Sequence, residues 1–264
     1  MLQALLALSL AAGAADPAAL VARGDAAFAE RGDPARLADA LEAYGLAAAA
    51  DPGGPAELRL ARASSFRALS DRASAREAWS ATARAAERAL RRLSPAWAAA
   101  VDAGEGTAEA SARVEPLGAE ALYWLALATY AGAQARGFAA VLAVKDAALA
   151  MMERAAALDE RVDFAGPLRA LGAWRAGLPG GVGGGAVAAR ARFERARELF
   201  PEFQLTGVWM AETYAVLVQD RRLFDALLSA ARDFDAAKAP EIAPENRLAR
   251  RLAVELLGRR DRLF

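Results

Sequence analysis

The chain contains no histidine and no cysteine. That excludes a Ser-His-Asp triad, a Cys-His pair and the usual zinc sites built from those side chains. It also excludes disulfides, so cysteine usage is silent on the compartment. Neither charge sign is in excess, with 33 basic and 33 acidic residues. A binder of nucleic acid or anionic lipid would normally carry a basic patch. The short groups Arg91-Arg92 and Arg259-Arg260-Asp261-Arg262 read instead as solvated helix surface. Carboxylate-bound calcium or magnesium would suit the composition, but no D-x-[DN]-x-[DN]-G loop is present. No metal and no cofactor are expected.

Strand patterns are also missing, because no extended Val/Ile/Thr/Tyr alternation is bounded by turns. What the chain has is alanine, leucine, arginine and glutamate at helical spacing, all strong helix formers. Hydrophobic residues make up 56% of it, enough for a sizeable core. Residues 1–15, MLQALLALSLAAGAA, form an apolar run in which Ala12-Gly13-Ala14 fits an A-x-A cleavage pattern. This is a candidate secretory signal, although no Lys or Arg precedes it and the first basic side chain is Arg23. A capping helix of the fold is the alternative. No other segment is long and apolar enough to span a bilayer.

Proline and glycine punctuate the helical text at Pro52 to Pro55, Pro95, Pro116, Pro167, a glycine loop, Pro201 and Pro240 to Pro244. The segments between them pair into hairpins over about 18–52, 55–95, 116–160, 164–201 and 203–238, with a capping helix at 245–257. A tetratricopeptide hairpin sets small residues at 8, 20 and 27 against bulky ones at 4, 11 and 24, and ends on Pro at 32. Leu171-Gly172 falls at 7 and 8 of the best unit. Ala189, Phe193, Ala196 and Pro201 follow at 20, 24, 27 and 32, once the glycine stretch is treated as an insertion. Gly24, Ala40, Tyr44, Ala47 and Pro52 echo the pattern, as do Trp124, Leu127 and Ala128, and Ala211 and Tyr214. The predicted fold is all-α: tetratricopeptide-like hairpins stacked as a short right-handed solenoid, forming a single domain over 16–264.

The stretch GLPGGVGGGA, 177–186, invites a phosphate-binding reading. No Lys follows it, so the phosphate-loop motif is absent. Gly181 to Ala186 fits the dinucleotide pattern, but the preceding segment is helical where that pattern needs a strand. The stretch reads first as a long turn. A sharper alternative has Gly183, Gly184 and Gly185 offering amides to an anion at the start of the next helix.

Taken together, the phrases ALYWLALATYAGA (121–133), GPLRALGAWRAGLPGGVGGG (166–185), ARFERARELFPEF (192–203), VQDRRLFDALL (218–228) and PENRLARRLAVELL (244–257) resemble the T component of TRAP transporters, the TatT family. The resemblance runs over about 18–264. It implies an exported helical protein that docks the solute-binding protein of a tripartite periplasmic transporter, shelters a small organic acid or apolar ligand, and forms homo-oligomers. Family members are commonly lipid-anchored. Here Leu10-Ala11-Ala12 leads to Gly13 where a lipobox has Cys, so a periplasmic protein without that anchor is expected.

Several side chains are candidates for a ligand or partner groove, and each has a plainer reading. Tyr123 and Trp124 sit early in their helix but have core spacing. Lys145 interrupts an apolar stretch, as a groove contact or as a snorkelling surface lysine. Arg169 and Arg175 flank Trp174 and offer bidentate donors to a carboxylate, or to acids of a neighbouring helix. Asp220 is read first as a helix N-cap. Glu194 and Glu198 lie four apart, which suits surface ion pairs better than acid-base catalysis. No catalytic residue is expected. The alternative to a transporter accessory is a general tetratricopeptide scaffold that takes a partner's peptide or helix.

Overall fold

The computed structural model describes residues 16–264; the candidate signal at 1–15 lies outside the described residues. Thirteen α-helices and no strand are found among the described residues. They are α1 (Pro17–Ala29), α2 (Pro34–Ala50), α3 (Pro55–Ser70), α4 (Ala75–Leu93), α5 (Pro95–Asp102), α6 (Thr107–Ser111), α7 (Ala119–Gln134), α8 (Phe138–Leu158), α9 (Val162–Gly177), α10 (Ala186–Leu199), α11 (Leu205–Met210), α12 (Arg221–Asp233) and α13 (Ala243–Leu257). One π turn, Ala211–Ala215, continues α11.

Many prolines that punctuate the sequence open helices. Pro17, Pro34, Pro55 and Pro95 occupy first-turn positions, where a missing amide costs nothing. Asp16 and Asp33 cap two of these helices by accepting from Ala18 N and Ala35 N. Each such cap contributes about 1 kcal/mol.

Neighbouring helices pack in pairs as a solenoid-like all-α fold. The two short helices α5 and α6 are an addition, filling the gap between the second and third hairpins. The small-against-large pairing is physical. A Cβ added at Gly24 would run into the Tyr44 ring, and one at Gly172 would stand 2.8 Å from Phe193 Cδ2. Both rings are buried at these contacts.

Two cores result. The first is built from α3 to α9 and includes Leu90, Trp97, Leu122, Tyr130, Met152 and Trp174. The second joins the two ends of the chain: Phe28, Leu37, Tyr44 and Phe66 from α1–α3 pack with Phe193, Phe203, Phe224, Leu248 and Leu256. A buried ion pair crosses this seam. Arg31 Nε donates to Glu245 Oε1 at 2.8 Å and Nη2 to Oε2 at 2.6 Å. Arg31 Nη2 also bonds Glu241 O at 2.8 Å. The closure brings α3 against the turn at the start of α9, where the candidate site forms.

Candidate functional site

Leu58, Arg62, Phe66 and Leu69 share one stripe of α3. The stripe is apolar except for Arg62, which is half-buried. Its guanidinium carbon lies 5.3 Å from the Phe28 ring centre and 5.9 Å from that of Phe164. Among the described residues, the Arg62 side chain has no ion pair and donates no hydrogen bond. A guanidinium has five donors, and none of these is taken by another protein group among the described residues. They face three cavities that Arg62 lines together: an outer chamber of about 640 Å³, a side pocket of about 360 Å³ and an inner cavity of about 30 Å³.

Asp163 also lines both the outer chamber and the inner cavity. It begins a turn of three consecutive left-handed residues: Asp163 (φ 47°, ψ 52°), Phe164 (54°, 54°) and Ala165 (59°, 35°). Each such L-residue costs about 1–2 kcal/mol. Two side chains hold the turn. Arg169 Nη1 donates to Phe164 O at 3.0 Å, and its Nη2 reaches Asp163 O at 3.3 Å and Oδ2 at 3.0 Å. The Tyr123 hydroxyl donates to Asp163 Oδ2 at 2.8 Å. Gly166 lets the chain pass close to Tyr123, since a Cβ there would lie 2.5 Å from the phenol oxygen. Right-handed helix resumes after Ala165, so Pro167 falls in its first turn and breaks nothing.

Burial pushes the Asp163 carboxyl above the usual carboxylate range, against the opposing pull of Arg169 and Arg62. Burial, followed by the charge of Asp163, drives the Tyr123 phenol well above its ordinary value. Arg169 is 3% exposed, its guanidinium lies 4.6 Å from the Phe203 ring centre, and its Nε has no partner. The inner cavity that it lines, about 30 Å³, has room for about two waters. The turn stacks Phe164 on Phe203, with ring centres 5.1 Å apart, and sets it edge-on to Phe200 at 5.5 Å.

The outer chamber therefore has an aromatic and aliphatic wall of Leu117, Val162, Phe164 and Phe200. A second cation, Arg161, without an ion pair among the described residues, lies 4.8 Å from the Phe200 ring centre. Four carboxylates line the chamber, and all but Glu241 accept from protein donors among the described residues. Glu120 accepts from Trp124 Nε1, Asp159 from the Arg161 amide, and Asp163 from Arg169 and Tyr123. The arrangement offers two guanidiniums without an ion pair beside an apolar wall, in a lining that also carries four carboxylates, so an organic acid would have to meet Arg62 or Arg161 directly. No cluster of three or more potential metal ligands occurs among the described residues.

Three of the residues singled out from the sequence meet here. Tyr123, Trp124 and Arg169 line the inner cavity. The others stand apart. Trp174 is buried in the first core and stacks on Tyr130 at 4.2 Å. Arg175 binds Gly183 O at 2.8 Å and Glu153 at 3.1 Å. Lys145 bonds Asp146 at 2.5 Å. Asp220 caps α12 through Leu223 N at 2.9 Å. The amides of Gly183, Gly184 and Gly185 donate to Gly180 O, Pro179 O and Arg175 O. The loop therefore spends on its own carbonyls the donors that an anion would need. Arg62, Asp163, Phe164 and Phe200 are absent from the sequence-derived candidates. Only Arg62 has a sequence signal: a charge within the inward stripe of α3.

A sequence model of the TRAP transporter T-component family matches residues 37–264. No curated protein matches the chain.

Proposed function

We propose a role for this protein from one premise: the chain belongs to the TRAP transporter T-component family. A transport accessory role follows from that membership. Within it, we infer that the protein docks a TRAP-type solute-binding protein outside the cytoplasmic membrane and holds a small organic acid in the outer chamber, without transforming it. No helix among the described residues is long and apolar enough to cross a membrane.

The observation that carries the ligand half of this reading is the Arg62 guanidinium, unpaired between Phe28 and Phe164 at the edge of a 640 Å³ chamber. A carboxylate placed there gains charge-assisted hydrogen bonds that no protein group now supplies. Its carbon body meets Leu117, Val162 and Phe200. Arg161, over the Phe200 ring, gives a second anchor.

Docking is tested by mixing the purified protein with the TRAP solute-binding protein of the same cell and measuring native mass. A defined complex supports the reading. Two species that remain separate, at concentrations well above those in the cell and with solute present or absent, would overturn its docking half.

A further inference from the structure

The seam between the ends of the chain carries a second cleft of about 430 Å³, separate from the outer chamber. Its floor is apolar: Leu37 and Leu41 from α2, Phe66 from α3, and Leu248 with Pro244 from α13. Its rim is cationic. Arg67 comes from α3 on one side, and Arg247 and Arg251 come from α13 on the other. Arg251 bonds only the Ser70 carbonyl, at 2.7 Å. Neither Arg67 nor Arg247 has an ion pair or donates a side-chain hydrogen bond among the described residues. Arg247 lies over Gly32, where an added Cβ would stand 3.2 Å from its Nη2. The deeper Arg31 already spends four of its five donors on Glu245, Glu241 O and Phe28 O.

The cleft has one carboxylate against the three rim guanidiniums. Asp71 accepts from its own turn, at Ala73 N; hydrogen bonds from Ser74 and Ala73, together with the charge of Arg67, hold its carboxyl below the usual range, so it offsets only part of the rim charge. Three guanidinium groups thus converge from both sides of the seam on an apolar floor.

We propose that this cleft binds a small carboxylate with an apolar body, whose charge bridges Arg67 to Arg247 and Arg251 while its carbon skeleton covers Leu41 and Phe66. Two features argue for this occupant. Three rim guanidiniums face a single carboxylate, leaving net positive charge, and the volume is that of a small-molecule site. Because the anion spans α3 and α13, it also clamps the two ends of the chain together. This site stands or falls independently of the outer chamber.

The test is calorimetric titration of the full chain with phenylbutyrate, and with acetate as a carboxylate lacking the apolar body. Phenylbutyrate binds the native protein more tightly than acetate. Arg67→Gln and Arg247→Gln each weaken it about tenfold, the loss of roughly one charge-assisted contact. Leu41→Asn weakens phenylbutyrate and leaves acetate unchanged. Arg62→Gln, which touches only the outer chamber and its neighbouring pockets, leaves cleft binding in place. All four positions are at least partly exposed, so the variants remain folded. The proposal is overturned if Arg67→Gln and Arg247→Gln bind phenylbutyrate as the native chain does, or if acetate binds equally well. It is also overturned if an acidic leucine-containing peptide binds where phenylbutyrate does not, which would reassign the cleft to a protein segment.

Discussion

Gly172 lies against the face of Phe193 so closely that a methyl group on it would stand 2.8 Å from ring atom Cδ2. Phe193 is fully buried and has nowhere to retreat. Gly172→Ala gains about 1 kcal/mol of helix propensity but overpacks the core by about 1–3 kcal/mol. Net destabilisation is therefore expected by chemical denaturation. Gly45, in the middle of α2, has no atom within 4 Å of an added Cβ. There the propensity gain stands alone, and Gly45→Ala raises stability by about 0.5–1 kcal/mol. Equal effects at the two glycines would contradict the packing account.

The Arg31–Glu245 pair should behave as a seam lock. Its side chains are 4% and 10% exposed. Glu245→Ala leaves a buried guanidinium without its counter-charge, at a cost of about 3–5 kcal/mol. Replacing both residues with apolar side chains of similar volume recovers most of that loss, because neither charge is then stranded. Equilibrium urea unfolding of the single and double variants measures the difference. If Glu245→Ala costs no more than a surface ion pair, the pair does not lock the seam.

Tyr44, Tyr123 and Tyr130 set the alkaline limit of the fold. Burial is the first cause of the upward shift for each phenol, and the Asp25 and Asp163 carboxylates add to it for Tyr44 and Tyr123. A phenol with a raised folded pKa keeps its proton in the native state and loses it once unfolded. Above about pH 10 the native state thus holds more protons, and stability falls as pH rises. Absorbance titration should show these phenols silent near pH 10 and ionising together with loss of helical circular dichroism at higher pH. Ionisation of all the tyrosines near pH 10 with the helices intact would contradict this.

At Ala165 the usual helix rule reverses. Alanine is held at φ 59° and ψ 35°, a region that glycine enters freely. Ala165→Gly relieves about 1 kcal/mol of strain, which offsets the extra chain entropy of the unfolded state. Thermal unfolding should show a neutral or slightly stabilised protein. A loss of more than about 1 kcal/mol would mean that the turn is not strained.

The hairpins could be read from the sequence because their determinants are local and periodic. Gly172 and Phe193 fall on expected repeat positions, and Ala189 and Ala196 keep the same register. The site could not be read in this way. Arg31 and Glu245 are 214 residues apart, and no repeat position announces that they meet. Residues 163–165 contain neither glycine nor asparagine; Asp163 tolerates the left-handed region, but nothing about Phe164 and Ala165 signals it. Arg169, five to six residues further along the same helix, and Tyr123 from α7 bond the turn, and the Tyr123 contact forms only once α7 and α9 have packed. The glycine loop showed the opposite mismatch: a strong compositional signal, but amides spent on its own carbonyls.

The central claim concerns Arg62, and native mass spectrometry with succinate, pyruvate and phenylacetate tests it most directly. The native chain should retain at least one of these acids, and Arg62→Gln should reduce its retention about tenfold while leaving the unfolding temperature unchanged. If the native chain retains none of the three acids, or Arg62→Gln retains them equally, the chamber is not an organic-anion site.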